Sequence, residues 1–187
     1  DFNSTSADCA TVRVRNITQG TPTVGVGPNG CDSLSQWTTG SISANPGDVI
    51  SVAVYYHNTG NITATGTKIR VSSPQSMSSS NSHTISANVS ASNGGYASGS
   101  VNVNLTDAQT LTYIPNQTSA GSTVWYDNAN SGAYSISSNL DQNLFNSTGL
   151  LANADGIVEP TWSDQGSVRM MFKIGDEPTL PNGPAVT

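Results

Sequence analysis

The sequence predicts an all-β chain folded as an antiparallel β-sandwich with extended segments at both ends. Three observations lead there. Apolar and polar residues alternate with a period of two through much of the 187 residues. Turn chemistry built from Gly, Asn, Asp and Pro recurs about every ten residues. No segment sustains a helical period; residues 139–151 come nearest and have room for one short helix. Two facing sheets then bury one face of every strand.

The elements follow in order. In the head, Thr11–Ile17 alternates as a strand and Thr23–Val26 forms a weaker return arm. A hairpin centred on Gly20 would set Cys9 opposite Cys31. Gly47-Asp48 opens Val49–His57, which places Ile50, Val52, Val54 and Tyr56 on one face. Asn58–Asn61 reads as a tight turn, and Thr67–Val71 alternates with Lys68 and Arg70 toward solvent. Ile85, Ala87 and Val89 precede an Asn93–Gly95 turn, and Val101, Val103 and Leu105 follow it. Leu111–Ile114 stops at Pro115, and Thr123–Tyr126 stops at Asp127. The last strand, Val168–Ile174, points Val168, Met170, Phe172 and Ile174 inward. After it, residues 175–187 carry three prolines and suit an extended strap. The division expected is a head over 1–35, a sandwich over 36–174 and a tail over 175–187.

Composition narrows the function classes. Only 10% of residues are charged, against about a quarter in ordinary domains. Polarity comes instead from 28 Ser, 21 Thr and 19 Asn. A net charge of −6 with six Lys and Arg argues against a nucleic-acid partner, whose phosphates need clustered cations. No apolar run approaches the ~18 residues of a membrane span, so no membrane insertion is expected. The chain opens at Asp1 rather than Met, which reads as a secreted product with its export signal removed. Two cysteines, Cys9 and Cys31, suit one disulfide in an oxidising compartment, with two buried thiols as the alternative. Seven Asn-x-Ser/Thr sites permit N-glycosylation, at Asn3, Asn16, Asn61, Asn88, Asn104, Asn116 and Asn146. Chance alone gives about five in a chain of this composition, so the count does not demonstrate it.

The stretch Ala44-Asn45-Pro46-Gly47-Asp48 through Asn58-Thr59-Gly60-Asn61 resembles the opening of the conserved-repeat Ig-like domains of bacterial and archaeal surface proteins (domain of unknown function eleven). Leu111–Pro115 and Gly166–Ile174 are similar to two later elements of that family, and the resemblance spans Trp37 to Ile174. It implies an Ig-like sandwich in wall, stalk or fibre proteins, with no catalytic residues to carry over. The chain departs from the pattern in holding one copy and in a longer span between motifs.

Enzyme constellations are missing from the sequence. There is no GxSxG elbow, no HExxH and no phosphate-cradling glycine loop. His57 and His83 read as solvent-facing strand residues without an acid nearby in sequence, and Glu159 with Asp155 or Asp164 reads as loop chemistry. The loops at Asp127–Asn130 and Asn153–Gly156 are oxygen-rich, but Asx turns account for them without calcium. Trp37, Trp125, Trp162, Tyr55, Tyr56 and Tyr113 read mainly as packing residues that could also stack on sugars. No cofactor is expected.

The expected function is therefore a structural subunit of an extracellular filament or surface coat, assembled from copies of itself by strand exchange. Val12, Val14 and Ile17 are the donor candidates for a neighbour's open sheet edge. The alternative is a surface adhesin or carbohydrate-binding module with glycan partners; a third reading is a passive spacer.

Overall fold

The computed structural model describes residues 1–19, 37–115, 125–128, 132–135 and 140–175, with backbone alone for 125–128 and 132–135. Its strands in chain order are β1 (Val12–Asn16), β2 (Ser41–Ala44), β3 (Val49–Tyr56), β4 (Lys68–Val71), β5 (Ser76–Ser90), β6 (Tyr96–Tyr113), β7 (Trp125–Asn128), β8 (Gly132–Ser135), β9 (Leu150–Leu151) and β10 (Gly166–Ile174). Among the described residues there is no α-helix, and the short helix expected within 139–151 is a five-residue 3-10 turn, Asp141–Phe145. The all-β class holds.

All ten strands belong to one hydrogen-bonded sheet, not two separate ones, with the order β1-β3-β10-β6-β5-β4-β9. Every pairing is antiparallel except that of β2 with β6. The continuity comes from two long strands. β5 has 15 residues and β6 has 18, so short runs that the sequence presents separately are parts of one strand each. β6 pairs β2 through Asn102–Leu105 and β10 through Leu111–Tyr113. Between these contacts the β5–β6 register slips around Met77–Ser82, and such a bulge bends and twists a strand. His83 sits at this irregularity, where its Nε2 lies 2.7 Å from the Gln109 carbonyl; the carbonyl can only accept, so the ring donates.

One core lies inside the bend. Val12 and Val14 of β1, Ile50, Val52, Val54 and Tyr56 of β3, and Val168, Met170, Phe172 and Ile174 of β10 share a single cluster with Ile69, Ile85, Val101, Val103 and Leu111. Period two placed these residues on inward faces, as the sequence indicates. The polar faces of β5 and β6 turn outward, where Thr84 Oγ1 donates to Asn102 Oδ1 at 2.7 Å and Ser82 Oγ meets Asn104 Oδ1 at 3.1 Å.

β3 is different. Seven of its eight residues are buried, including the second-face residues Ser51, Ala53 and Tyr55. β1 and β10 flank it, with Arg13 and Arg169 both opposite Ala53; β1 is covered on that face too, while Arg169, Met171 and Lys173 of β10 are half-buried. The guanidinium carbons of Arg13 and Arg15 lie 5.7 Å and 5.8 Å from the Trp37 ring centre, where cation–π attraction and the apolar stems offset the cost of burial.

The head packs on its own body. β1 is antiparallel to β3 over Val12–Asn16, and Phe2 is buried against Gly95 in the β5–β6 turn. A Cβ at Gly95 would stand 2.6 Å from the Phe2 ring, so that contact requires glycine. Further along β6, Gly99 lets the β1 backbone at Val12 cross closely.

Phe172→Ala, at a position with no exposure, is expected to lower unfolding free energy by about 3–5 kcal/mol. Thr106→Ser, on the exposed face of β6, is expected to stay within about 0.5 kcal/mol. Urea midpoints of the two variants read the difference.

Candidate functional site

The chain's most concentrated polar chemistry lies where β3 runs out, at Tyr55-Tyr56-His57-Asn58. Alternation continues past the strand's end, so successive side chains leave in opposite directions. Tyr55 and His57 turn to the head. Tyr56 and Asn58 turn to the 152–164 loop.

On the head side, His57 Nδ1 lies 2.6 Å from Asp8 Oδ1, with the two side chains 5% and 1% exposed. Tyr55 Oη is 3.1 Å from the same carboxylate oxygen and 2.7 Å from Gln165 Oε1. Asp8 Oδ2 accepts from the Thr5 backbone N–H and hydroxyl, both at 2.8 Å. Asn3 completes the clasp: its amide donates to Thr11 Oγ1 and to the Tyr55 carbonyl, and its Oδ1 accepts from the His57 N–H. Its positive φ of 51° is a conformation that Asn tolerates better than most residues.

Burial by itself would raise the Asp8 carboxyl, but the hydrogen bonds from His57 and Thr5 outweigh it and hold the group below its ordinary value. Asp8 is thus a carboxylate, and His57 Nδ1 carries the proton it donates. Burial, and next the Asp8 charge, push the Tyr55 phenol above its ordinary value. Tyr113 is raised in the same way by burial and by its hydrogen bond to Asp141.

On the loop side, Tyr56 Oη donates to Asn153 Oδ1 at 2.6 Å. Asn153 donates to the Ile157 carbonyl and to Asp164 Oδ1, both at 2.9 Å. Asn58 donates to the carbonyls of Ile62 and Val158. The loop then returns Trp162 onto His57, with ring centres 4.1 Å apart and 33° between planes. Trp162 remains 44% exposed.

These contacts correct the sequence reading of the histidines. His57 and His83 are both only 4% exposed, and the acid that pairs with His57 comes from 49 positions earlier in the chain. Nothing in sequence spacing signals that partner. Tyr55, Tyr56 and Tyr113 are buried; Trp37 is half-buried over Arg13 and Arg15. The side chain of Trp125 is outside the described residues. Tyr96, absent from the sequence-based candidates, is 60% exposed beside a groove lined by Ser72, Ser86, Asn88, Ser98 and Ser100.

Of the donor candidates, Val12 and Val14 enter the core and Ile17 does not. The reason is parity. The Ile17 N–H bonds to the Val49 carbonyl, and an odd separation from Val12 and Val14 across successive strand residues sends its side chain to the other face. Cys9 is buried and not a free thiol, whereas Cys31 and the Gly20 turn lie outside the described residues, so their pairing is carried forward as a proposal.

Among the described residues no group of three His, Cys, Asp or Glu side chains converges on a metal position, and no helix is long and apolar enough to cross a membrane. Asp155 Oδ1 accepts from the Ile157 N–H, and the Asp127 side chain is outside the described residues. Asp164 accepts from the Glu159 N–H at 2.6 Å while Thr63 donates to Glu159 Oε2 at 2.7 Å. These acids organise the loop.

No family model, curated protein or solved structure matches the chain. The resemblance to the conserved-repeat Ig-like domains therefore rests on the quoted motifs alone.

Asp8→Asn tests the clasp. A carboxyl whose folded value lies below its unfolded value of 3.8 contributes stability that is complete above 3.8 and disappears as pH falls through the lowered folded value. The variant is expected to lose about 1–3 kcal/mol at pH 7. The gap from wild type should close as pH drops below 3.8. Urea midpoints between neutral pH and pH 2 read it; a pH-independent gap would show that the Asp8 charge is immaterial.

Proposed function

We propose that the chain is a structural subunit of an extracellular filament or cell-surface coat, an Ig-like sandwich whose copies join head to tail by exchanging the head strand. The carrying observation is the place of β1. It ends the strand order, fills the core with Val12 and Val14, and belongs to a head that connects to the body through residues 20–36. An edge strand can be supplied by a neighbour in the same register, since an exchanged copy makes the same contacts.

The notion of a head that is free until a partner arrives needs revision. In the single chain β1 occupies its own sheet, and Phe2, Asn3 and Asp8 lock it there. Exchange thus replaces an internal β1 by a neighbour's. The chain's start lies at the Asn58 end of β3, where Phe2 bridges Asn58. β10 ends at the opposite pole, where the Gly47 N–H donates to the Ile174 carbonyl. Residue 1 and the end of β10 thus lie at opposite poles, whereas residue 19, where the head leaves the described body, sits at the β10-end pole with its amide on Asp48 Oδ2; a contact that joins unlike surfaces propagates. A Cys9–Cys31 disulfide closes a loop within residues 1–35 and is worth roughly 3 kcal/mol on the chain-entropy model.

One observation favours the binding alternative. Tyr96 presents its ring beside a groove of about 280 Å³ walled by hydroxyl and amide side chains, chemistry suited to a neutral sugar. Saturable binding of isolated monomer to a glycan, lost in Tyr96→Ala, would support it.

The assembly test removes residues 1–19 together with Cys31→Ser, which leaves no odd thiol. The truncated chain should be markedly destabilised and form no filaments, and a synthetic peptide of residues 1–19 added in trans should restore its stability but not filament formation. Filaments of normal length from the truncation, or full chain that stays monomeric at every concentration, would refute strand exchange.

A further inference from the structure

We propose that Asn61 carries an N-linked glycan and that its first sugar seats in the groove beside it. The inference rests on the extracellular reading above, and the fold itself singles out this residue among the acceptor motifs in the described residues.

Two of the motifs are closed by internal hydrogen bonds. Asn3 spends its amide N–H groups on Thr11 and the Tyr55 carbonyl. Asn16 donates to Asp48 Oδ2 at 2.7 Å while its Oδ1 accepts from the N–H groups of Thr18 and Gln19. A glycan at either amide nitrogen removes donors from partly buried partners and wedges a bulky group into the head–body junction. Asn88 is half-buried in β5, and Asn104 lies mid-sheet between Ser82 and the parallel partner Ser43. Asn146 is exposed, but its amide donates to the Gln142 carbonyl and its Oδ1 accepts from the Thr148 N–H in an Asx turn. Asn116 is outside the described residues.

Asn61 differs on each count. It is exposed, lies in the turn between β3 and β4, and heads the motif Asn61-Ile62-Thr63. The middle residue supplies an independent reason for a cover: Ile62 is 71% exposed, the most exposed large hydrophobic among the described residues. It borders a groove of about 330 Å³ lined by Asp1, Phe2, Ala64, Asn58, Asn61 and Asn93, in which the amides of Asn58 and Asn93 are already engaged with the Ile62, Val158 and Thr63 carbonyls. A pyranose ring has an apolar C–H face, which suits the Phe2, Ile62 and Ala64 wall, and a polar rim that can stay toward solvent. Seated there, the sugar shields Ile62 and covers the Phe2 contact that pins the head. The groove persists in exchange, because a neighbour's head would bring the same Phe2.

The transfer is redox-neutral. A lipid-linked oligosaccharide phosphate is the donor class: the sugar C1–O bond to phosphate breaks, a C1–Nδ2 bond forms, the phosphate leaves with the bonding electrons, and the amide gives one proton to a base of the transferase.

The test is peptide mass mapping of the full chain purified from its source, with Asn61→Gln and Thr63→Ala expressed in the same cells. The Asn61 peptide should carry a sugar mass increment that both variants abolish, while the Asn3 and Asn16 peptides stay bare. Amides of the Asn58–Ile62 turn should exchange several-fold faster in Asn61→Gln. A bare Asn61, or a glycan on Asn3 or Asn16 of the folded chain, overturns the assignment; an unchanged exchange rate overturns the seating. Bare Asn61 in native filaments would leave assembly standing, and a glycosylated chain that never polymerises would do the reverse.

Discussion

The double burial of β3 is the constraint on which the rest depends. A strand with both faces out of water must find hydrogen-bonding neighbours on both edges, because an unpaired buried amide or carbonyl costs about as much as a lost hydrogen bond. β1 supplies one edge and β10 the other. The polar residues that follow the strand inherit the same demand. Tyr55, Tyr56, His57 and Asn58 are each buried, so each draws in a partner, and alternation divides those partners between the head and the 152–164 loop.

This gives the head a definite physical character. It contributes apolar side chains to the core, an edge to the sheet and the carboxylate that His57 needs. It is therefore held by two kinds of force. The hydrophobic contribution of Phe2, Val12 and Val14 is insensitive to pH. The Asp8 contribution is electrostatic and weakens in acid. An element retained partly by a titratable contact is held less firmly in acid, but its departure would also open the core that Phe2, Val12 and Val14 fill.

The outer surface follows a different logic. β5 and β6 present paired Ser, Thr and Asn side chains that satisfy one another across the strands. Such a surface carries little charge to be screened by salt, and its hydrogen-bonding capacity is partly used within the sheet. The most exposed of the local exceptions are Ile62 beside the head and Tyr96 at the start of β6; Trp162 above His57, Leu140, Leu151 and Ile157 are others. Each is an apolar group that the fold leaves uncovered.

By itself the sequence determined the all-β class and the position and inward faces of the longer strands, but not the short β2, β8 and β9, because period-two alternation is a local property that burial selects directly. Val168, Met170, Phe172 and Ile174 are fully buried as their spacing indicates, and the Asn93–Gly95 turn joins β5 to β6. Only the tertiary structure decided that two long bent strands merge the layers into one sheet, since a bulge arises from pairing and leaves no periodic mark. It alone decided that β3 is covered twice, because the second face carries Ser51, Ala53 and Tyr55, residues at home on either side of a surface. The Asp8–His57 pair was likewise beyond local reading. Its members are brought together by the antiparallel register of β1 on β3, and no short-range rule encodes a meeting of residues 49 positions apart.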